Sequence, residues 1–159
     1  MSEVPQVTVR KVTRADLLAV HRIEQASFGQ PWPYDAFENL LDEPAFLVAE
    51  RDGAIAGYAV ADVTPNFGRD VGHLKDIAVH PEARGEGIGR RLLRSTLVRL
   101  RAQGAMVVKL EVRAGNDPAK ALYRSEGFEP LRRVPRYYQD GEDAVVMVLD
   151  LAEWNGPRS

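Results

Sequence analysis

Residues 80–93, HPEARGEGIGRRLL, place three glycines within five positions at the mouth of a leucine-rich helical pattern, with Arg84 and Arg90 on either side. Glycine weakens a helix and loosens the unfolded chain, so its concentration there needs a reason. A strand that runs into a glycine turn and then a helix presents several backbone N–H groups at the positive end of the helix dipole. With no side chains in the way, an anion can come within hydrogen-bond range of them. Arg84 and Arg90 add charge-assisted contacts that suit phosphate oxygens. Gly85, Gly87 and Gly89 follow neither G-x-G-x-x-G nor G-x-x-x-x-G-K-[ST], and no acidic residue ending a neighbouring strand follows at the distance a dinucleotide ribose needs. Taken alone, the turn fits either a phosphate cradle or a plain strand-to-helix connection.

The chain that must position this turn has 159 residues and reads as a single domain, 1–159, with a core over about 7–151 and a loose tail over 152–159. Its charge is uneven. Between residues 81 and 101, six arginines face only Glu82 and Glu86, whereas between 13 and 50 seven acids face only Arg14 and Arg22. Beside a reading as solvated helix faces, this suits an anionic ligand at the second segment and a cationic one near the first. A net charge of −2 argues against general nucleic-acid binding, and no apolar run is long enough for a membrane span. The amino terminus lacks the pattern of a secretory signal, so a cytoplasmic location is expected. Cysteine is absent, which excludes thiolate metal sites and an acyl-cysteine intermediate; three scattered histidines give no metal site.

Period and punctuation give the elements. Strands are predicted at 7–12, 45–50, 54–63, 73–79, 106–112, 128–134 and 143–151; the second and third are joined through Arg51, Asp52 and Gly53 as a hairpin. Helices are predicted from Thr13–Asp16 to about Gln25, over 34–41, from the glycine turn to Gly104, and over 117–127 with Pro118 in its first turn. The third is the strongest, with Ile88, Leu92, Leu93, Leu97 and Leu100 on one stripe. The order is β-α-α-β-β-β-α-β-α-β-β, an α/β chain with one layer of sheet and helices on its faces.

Two motifs in this order carry a resemblance. IAVHPEARGEGIGRRLL resembles the acetyl-CoA motif of the GNAT N-acetyltransferases, Q/R-x-x-G-x-G/A, met by Arg84, Gly87 and Gly89. LEVRAGNDPAKALYRSEGF resembles the motif next to it in that family, with Asn116, Ala119, Tyr123, Gly127 and Phe128 in the pattern N-x-x-A-x-x-x-Y-x-x-x-G-F. The ending RYYQDGEDAVVMVLDL is similar to that of the N-terminal protein acetyltransferases, particularly those that act on ribosomal-protein alanine and their archaeal relatives. The resemblance covers about residues 7–151 and implies a GNAT fold. That fold is a single mixed, mostly antiparallel sheet of about seven strands with helices on both faces, its strands splayed at the acetyl-CoA site.

The same resemblance implies a function and a set of site residues. Acetyl-CoA is a co-substrate and no metal is needed. Its pyrophosphate sits on the turn formed by Arg84, Gly85, Glu86, Gly87, Ile88, Gly89 and Arg90, its pantetheine arm pairs with Ile77, Ala78 and Val79, and Asn116 contacts that arm or caps the helix after it. Amine acetylation needs an unprotonated amine, a site for the oxyanion and a proton for the departing thiolate. The family places a general base at Glu111, whose side chain should point away from the face of Leu110 and Val112, and a phenol beside the sulfur at Tyr123. A tyrosine, with an ordinary pKa of about 10, is protonated at neutral pH and can donate. His21, His73 and His80 are expected to be structural, with His73 a minor rival to Glu111.

Tyr137 and Tyr138 match a tyrosine pair that closes over the substrate peptide, and Phe28, Pro31, Trp32 and Tyr34 match the loop that shapes the pocket for its leading side chain. The implied partner is a protein or peptide N-terminus, with a ribosomal protein as one candidate; neither nucleic acid nor membrane is a partner. Acetylation of a small amine or a lysine, and a CoA-sensing or partner-binding module without chemistry, are the alternatives.

Overall fold

A computed structural model describes residues 6–156; the expectations for the extreme amino terminus and for the end of the tail, 157–159, lie outside it. The elements are β1 (Val7–Lys11), α1 (Leu17–Ser27), α2 (Tyr34–Glu38), β2 (Ala45–Arg51), β3 (Ala54–Thr64) and β4 (Val71–Val79), then α3 (Ile88–Ala102), β5 (Val107–Arg113), α4 (Asp117–Ser125), β6 (Glu129–Val134) and β7 (Ala144–Asp150). The predicted start at Thr13–Asp16 is a capping box on a single 3-10 turn, Arg14–Asp16, that leads into α1. The predicted second helix stops at Glu38 instead of residue 41. Among the described residues no helix is long and apolar enough to cross a membrane.

The strands form one seven-stranded sheet in the order β1-β2-β3-β4-β5-β7-β6. Neighbours are antiparallel except β4 and β5, which run parallel. Alternation along the strands divides the apolar residues between two layers. On one face Leu47, Ala49, Ala59 and Ala61 pack under the buried stripe Ile88, Leu92, Leu93, Leu97 and Leu100 of α3. On the other, Phe46, Val48, Tyr58 and Val60 pack under Leu17, Val20 and Ile23 of α1 and Phe37 of α2.

Two features of the middle of the sheet position the site. The β4–β5 ladder holds only from Val71–Val107 to His73–Lys109, after which the strands part. Just there, Val60 pairs with Asp76 and Ala61 with Leu74, so Lys75 is an extra residue in β4. A bulge of this kind exchanges the faces that successive side chains take. Leu74 belongs to the α3 layer, whereas Ala78, which the uninterrupted period would place on the same face, belongs to the α1 layer. The bulge therefore puts Asp76 on the same side of the sheet as His73.

The loose tail expected over 152–159 is corrected for its described part. Trp154 is 7% exposed and joins the α3 layer. Its Nε1 donates to Glu126 Oε1 at 3.5 Å, and the Arg101 guanidinium lies 5.1 Å from its ring centroid. Glu126 in turn holds Arg90 at 2.7 Å and Arg94 at 2.9 Å. A single aromatic near a chain end carries little period, which is why the sequence pattern missed it. Trp154→Ala should destabilise the fold by about 3–5 kcal/mol, as for other buried aromatics, measured as a lower urea midpoint at unchanged m-value.

Candidate active site

The glycine turn lies between β4 and α3. Gly85 and Gly87 have φ of +81° and +80°, a conformation that side chains resist, and a Cβ added to either meets nothing within 4 Å. The glycines are thus set by backbone shape and by open space above the turn, not by packing. Gly87 caps α3 without a side-chain hydrogen bond, so the N–H groups of the first turn of α3 point out unpartnered, as at any helix start lacking a side-chain cap. Arg84 Nε donates to the Val79 carbonyl at 3.2 Å, while Arg90 is held by Ser125 Oγ and Glu126 Oε2, each at 2.7 Å.

From this turn a cavity of about 780 Å³ runs along the gap between β4 and β5. Past His73 the edge of β4 that faces β5 carries no ladder partner. Ile77, Ala78 and Val79 line that stretch, and Asn116 lines the cavity while accepting from Ala119 N at 3.3 Å as the cap of α4. Both roles considered for Asn116 are therefore open to it. Of the turn residues, Arg84, Gly85, Gly87, Ile88, Gly89 and Arg90 reach the cavity; Glu86 does not, because its carboxylate is paired with Arg51.

At the far end β5 and α4 bring Glu111 and Tyr123 to the same space. Leu110 and Val112 are buried in the α3 layer, so Glu111 projects from the opposite face. There His73 Nε2 donates to Glu111 Oε1 at 2.7 Å. His73, expected to be structural with a minor claim as a rival to Glu111, is instead its partner. The two residues stand 38 apart in the chain and are neighbours only through the parallel register of β4 and β5. His21 and His80 keep structural places: His21 packs edge-on to Tyr34 with centroids 6.0 Å apart, and His80 Nδ1 accepts from Glu82 N at 3.0 Å. The hydrogen bond from His73 holds the Glu111 carboxyl below its ordinary range, against the opposing effect of burial. Glu111 is thus ionised at neutral pH and able to accept a proton, with the imidazole holding it in place.

Tyr123 is 6% exposed and packs edge-on to Phe128, with centroids 5.8 Å apart. Among the described residues its hydroxyl has no protein partner, and it borders the cavity. Burial pushes the phenol above its usual pKa. It stays protonated throughout the neutral range and is able to donate to a developing thiolate.

The substrate-side residues divide. Phe28, Trp32 and Tyr138 line the cavity, while Pro31, Tyr34 and Tyr137 do not. Tyr34 packs in the α1 layer, and Tyr137 is 49% exposed and meets Tyr138 edge-on at 5.0 Å. Tyr138 is steadied from below by the Arg113 guanidinium, 4.1 Å from its ring centroid, and its hydroxyl is pushed up to about 12, mainly by burial. Arg113 itself is fixed by Asp140 at 2.9 Å and Glu142 at 3.0 Å within the β6–β7 loop. Among the described residues no cluster of His, Cys, Asp and Glu is arranged to hold a metal ion.

Sequence reasoning passed over a second acidic group in this cavity. Glu24 of α1 is 1% exposed, and Tyr58 of β3 directs its hydroxyl between Glu24 Oε1 and Asp76 Oδ2, the latter at 3.0 Å. Glu24 Oε2 accepts from Trp32 N at 2.8 Å, which ties the α1–α2 loop to the cluster. The acidic bias of residues 13–50 was the one sequence signal pointing here.

Comparison with known proteins agrees with this geometry. The model of the acetyltransferase (GNAT) family matches residues 17–128. N-alpha-acetyltransferase RimI of Mycobacterium tuberculosis is 41% identical over 152 residues, covering 91% of this chain and 92% of that protein. The N-alpha-acetyltransferase of Sulfurisphaera tokodaii is 34% identical over 154 residues, covering 90% and 92%. The crystal structure of the ribosomal-protein-S18-alanine N-acetyltransferase from Escherichia coli is similar with a TM-score of 0.81 at 32% identity, covering 92% of this chain and 94% of that one. The chain belongs to the GNAT acetyltransferase family, and it is an N-acetyltransferase.

Proposed function

We propose that this protein transfers the acetyl group of acetyl-CoA to the α-amine of a protein or peptide amino terminus, a ribosomal protein being one candidate target. The observation that carries the reading is the meeting of the His73–Glu111 pair and the open Tyr123 hydroxyl at one cavity, where β4 and β5 part. The glycine turn at the other end supplies N–H groups for the pyrophosphate, and the unpaired edge of β4 at Ile77, Ala78 and Val79 supplies partners for the pantetheine amides. The thioester is thereby delivered to the gap. The amine enters from the side of Phe28, Trp32 and Tyr138 and attacks the thioester directly, since no cysteine is present to form an acyl-enzyme. Glu111 takes a proton from the nitrogen, and Tyr123 gives one to the departing sulfur. Relatives that act as N-alpha-acetyltransferases support the α-amine as the target, and the cytoplasm is the compartment this reading implies.

Turnover on matched peptides tests it. Each peptide contains an internal lysine and carries either a free or a blocked α-amine, and the acetylated position is read by mass spectrometry. The expected result is acetylation of the free α-amine and none of the blocked peptide. Acetylation of the lysine in both, or of small amines alone, would reject the α-amine as the substrate.

A further inference from the structure

Among the described residues the Glu24–Tyr58–Asp76 cluster has no counter-ion: neither carboxylate is within ion-pair distance of a lysine, arginine or histidine. The cations bordering the cavity are engaged elsewhere: Lys75 with Asp62 at 3.2 Å, Arg84 with the Val79 carbonyl, Arg90 with Glu126, and Arg113 with Asp140 and Glu142. Two carboxyl groups bridged by one hydroxyl, Glu24 buried and Asp76 partly buried, repel each other when both are ionised, so they hold one proton between them. Burial and the hydrogen bond and charge of Glu24 keep Asp76 protonated well above the ordinary range, while the Tyr58 hydroxyl and the Ile77 amide act weakly against this. The other titrating groups facing Asp76 are Tyr123 from α4 and, across the cavity, Glu111 with its partner His73. The cluster therefore carries a single negative charge at the wall of a cavity built to admit an amine.

Proton accounting gives that charge a use. An α-amine has a pKa of about 8, so about nine-tenths of it arrives at pH 7 as ammonium. Its nitrogen must lose two protons, one before attack and one after. We propose that the Glu24–Asp76 pair, bridged by Tyr58, is the subsite that receives the substrate ammonium and takes its first proton, leaving the second to Glu111. This rests on the α-amine reading above. The pair goes from one negative charge to none as R–NH3+ becomes R–NH2. The nitrogen lone pair then forms the C–N bond, and the carbonyl π pair moves to oxygen. The cationic nitrogen of the adduct gives its second proton to Glu111, which suffices although its carboxylate is the weaker base, because that nitrogen is far more acidic than a free ammonium. Collapse of the oxyanion breaks the C–S bond, and Tyr123 protonates the thiolate. Of the two protons lost by nitrogen, one restores Tyr123 and the other goes to solvent. The bulge at Lys75 makes this division possible by turning Asp76 to the same face as His73 and Glu111.

The test is the pH dependence of kcat/KM for a free-amine peptide with wild type, the double variant Glu24→Gln/Asp76→Asn, and Glu111→Gln. Wild type should hold its rate between pH 6.5 and 8. The double variant, which must wait for amine already neutral in solution, should fall about tenfold per pH unit below the amine pKa of about 8. Between pH 6.5 and 8, above the acid limb of Glu111, Glu111→Gln should be slower at each pH while keeping the wild-type shape. A double variant with the wild-type profile would overturn the inference. A second comparison uses wild type alone, so it stands if the double variant does not fold. At pH 6.5 a peptide should bind about tenfold or more tightly than the same peptide lacking its α-nitrogen, and equal affinity overturns the inference. Wild type inactive on peptides at every pH removes the α-amine reading and this inference with it, whereas active wild type with an unmoved double variant removes the inference alone.

Discussion

Glu111→Gln lowers kcat about 10²–10⁴-fold, the range for loss of a positioned base. The substitution keeps the size of the side chain and the oxygen that accepts from His73, so the α3 layer behind it and the glycine turn are undisturbed. The dissociation constant of acetyl-CoA should accordingly stay within about twofold of wild type, since the turn proposed to hold the cofactor lies at the other end of the cavity. The pH dependence has a defined sign. Because the bond from His73 depresses the folded pKa of Glu111, wild-type activity is maintained through the neutral range and is lost only as pH falls through that depressed value. The variant lacks this acid limb. Rapid-quench measurement of a single turnover, with acetyl-CoA binding measured separately by calorimetry, checks both statements.

Tyr123→Phe has the second largest effect, a fall in the chemical step of about 10²-fold or more. The ring stays packed against Phe128, and among the described residues the hydroxyl has no protein partner to lose, so the fold should keep its melting temperature. The variant loses the phenol proposed to protonate the departing sulfur. The leaving group supplies the check: an acetyl thioester analogue of CoA with a more acidic thiol needs less protonation, so the ratio of wild-type to variant rates should shrink with it. A purely structural role for Tyr123 would leave that ratio unchanged and lower the melting temperature instead.

Much of this molecule is legible along the chain, and the illegible parts share a cause. The leucine stripe of α3, the glycine turn and the order of strands are local patterns, and Glu111 and Tyr123 stand in motifs whose residues are close in sequence. The site fails to be legible where its members come from distant elements. His73 meets Glu111 only through the parallel β4–β5 register, and Asp76 meets Glu24 and Tyr58 only because one inserted residue, Lys75, exchanges the faces of β4. No two-residue period discloses a bulge before its partner strand is known. The position of β7 between β5 and β6 is likewise a matter of pairing, and it is what lays the β6–β7 loop and Tyr138 over Arg113. Individual residues of an aromatic loop are no easier. Trp32 and Phe28 face the cavity while Pro31 and Tyr34, in the same stretch, do not, because Tyr34 opens α2 and packs on His21.

Transfer to an α-amine at the gap between β4 and β5 is decided by a crystal structure with a bisubstrate ligand, in which CoA is joined through an acetyl bridge to the α-nitrogen of a short peptide. The pyrophosphate should lie on the amides from Gly85 to Arg90, the pantetheine along Ile77 to Val79, and the bridged nitrogen between Glu111 and Tyr123, with the leading side chain against Phe28, Trp32 and Tyr138. A ligand whose nitrogen lies away from Glu111 and Tyr123, or whose peptide leaves the cavity without meeting Trp32 or Tyr138, would contradict this mechanism.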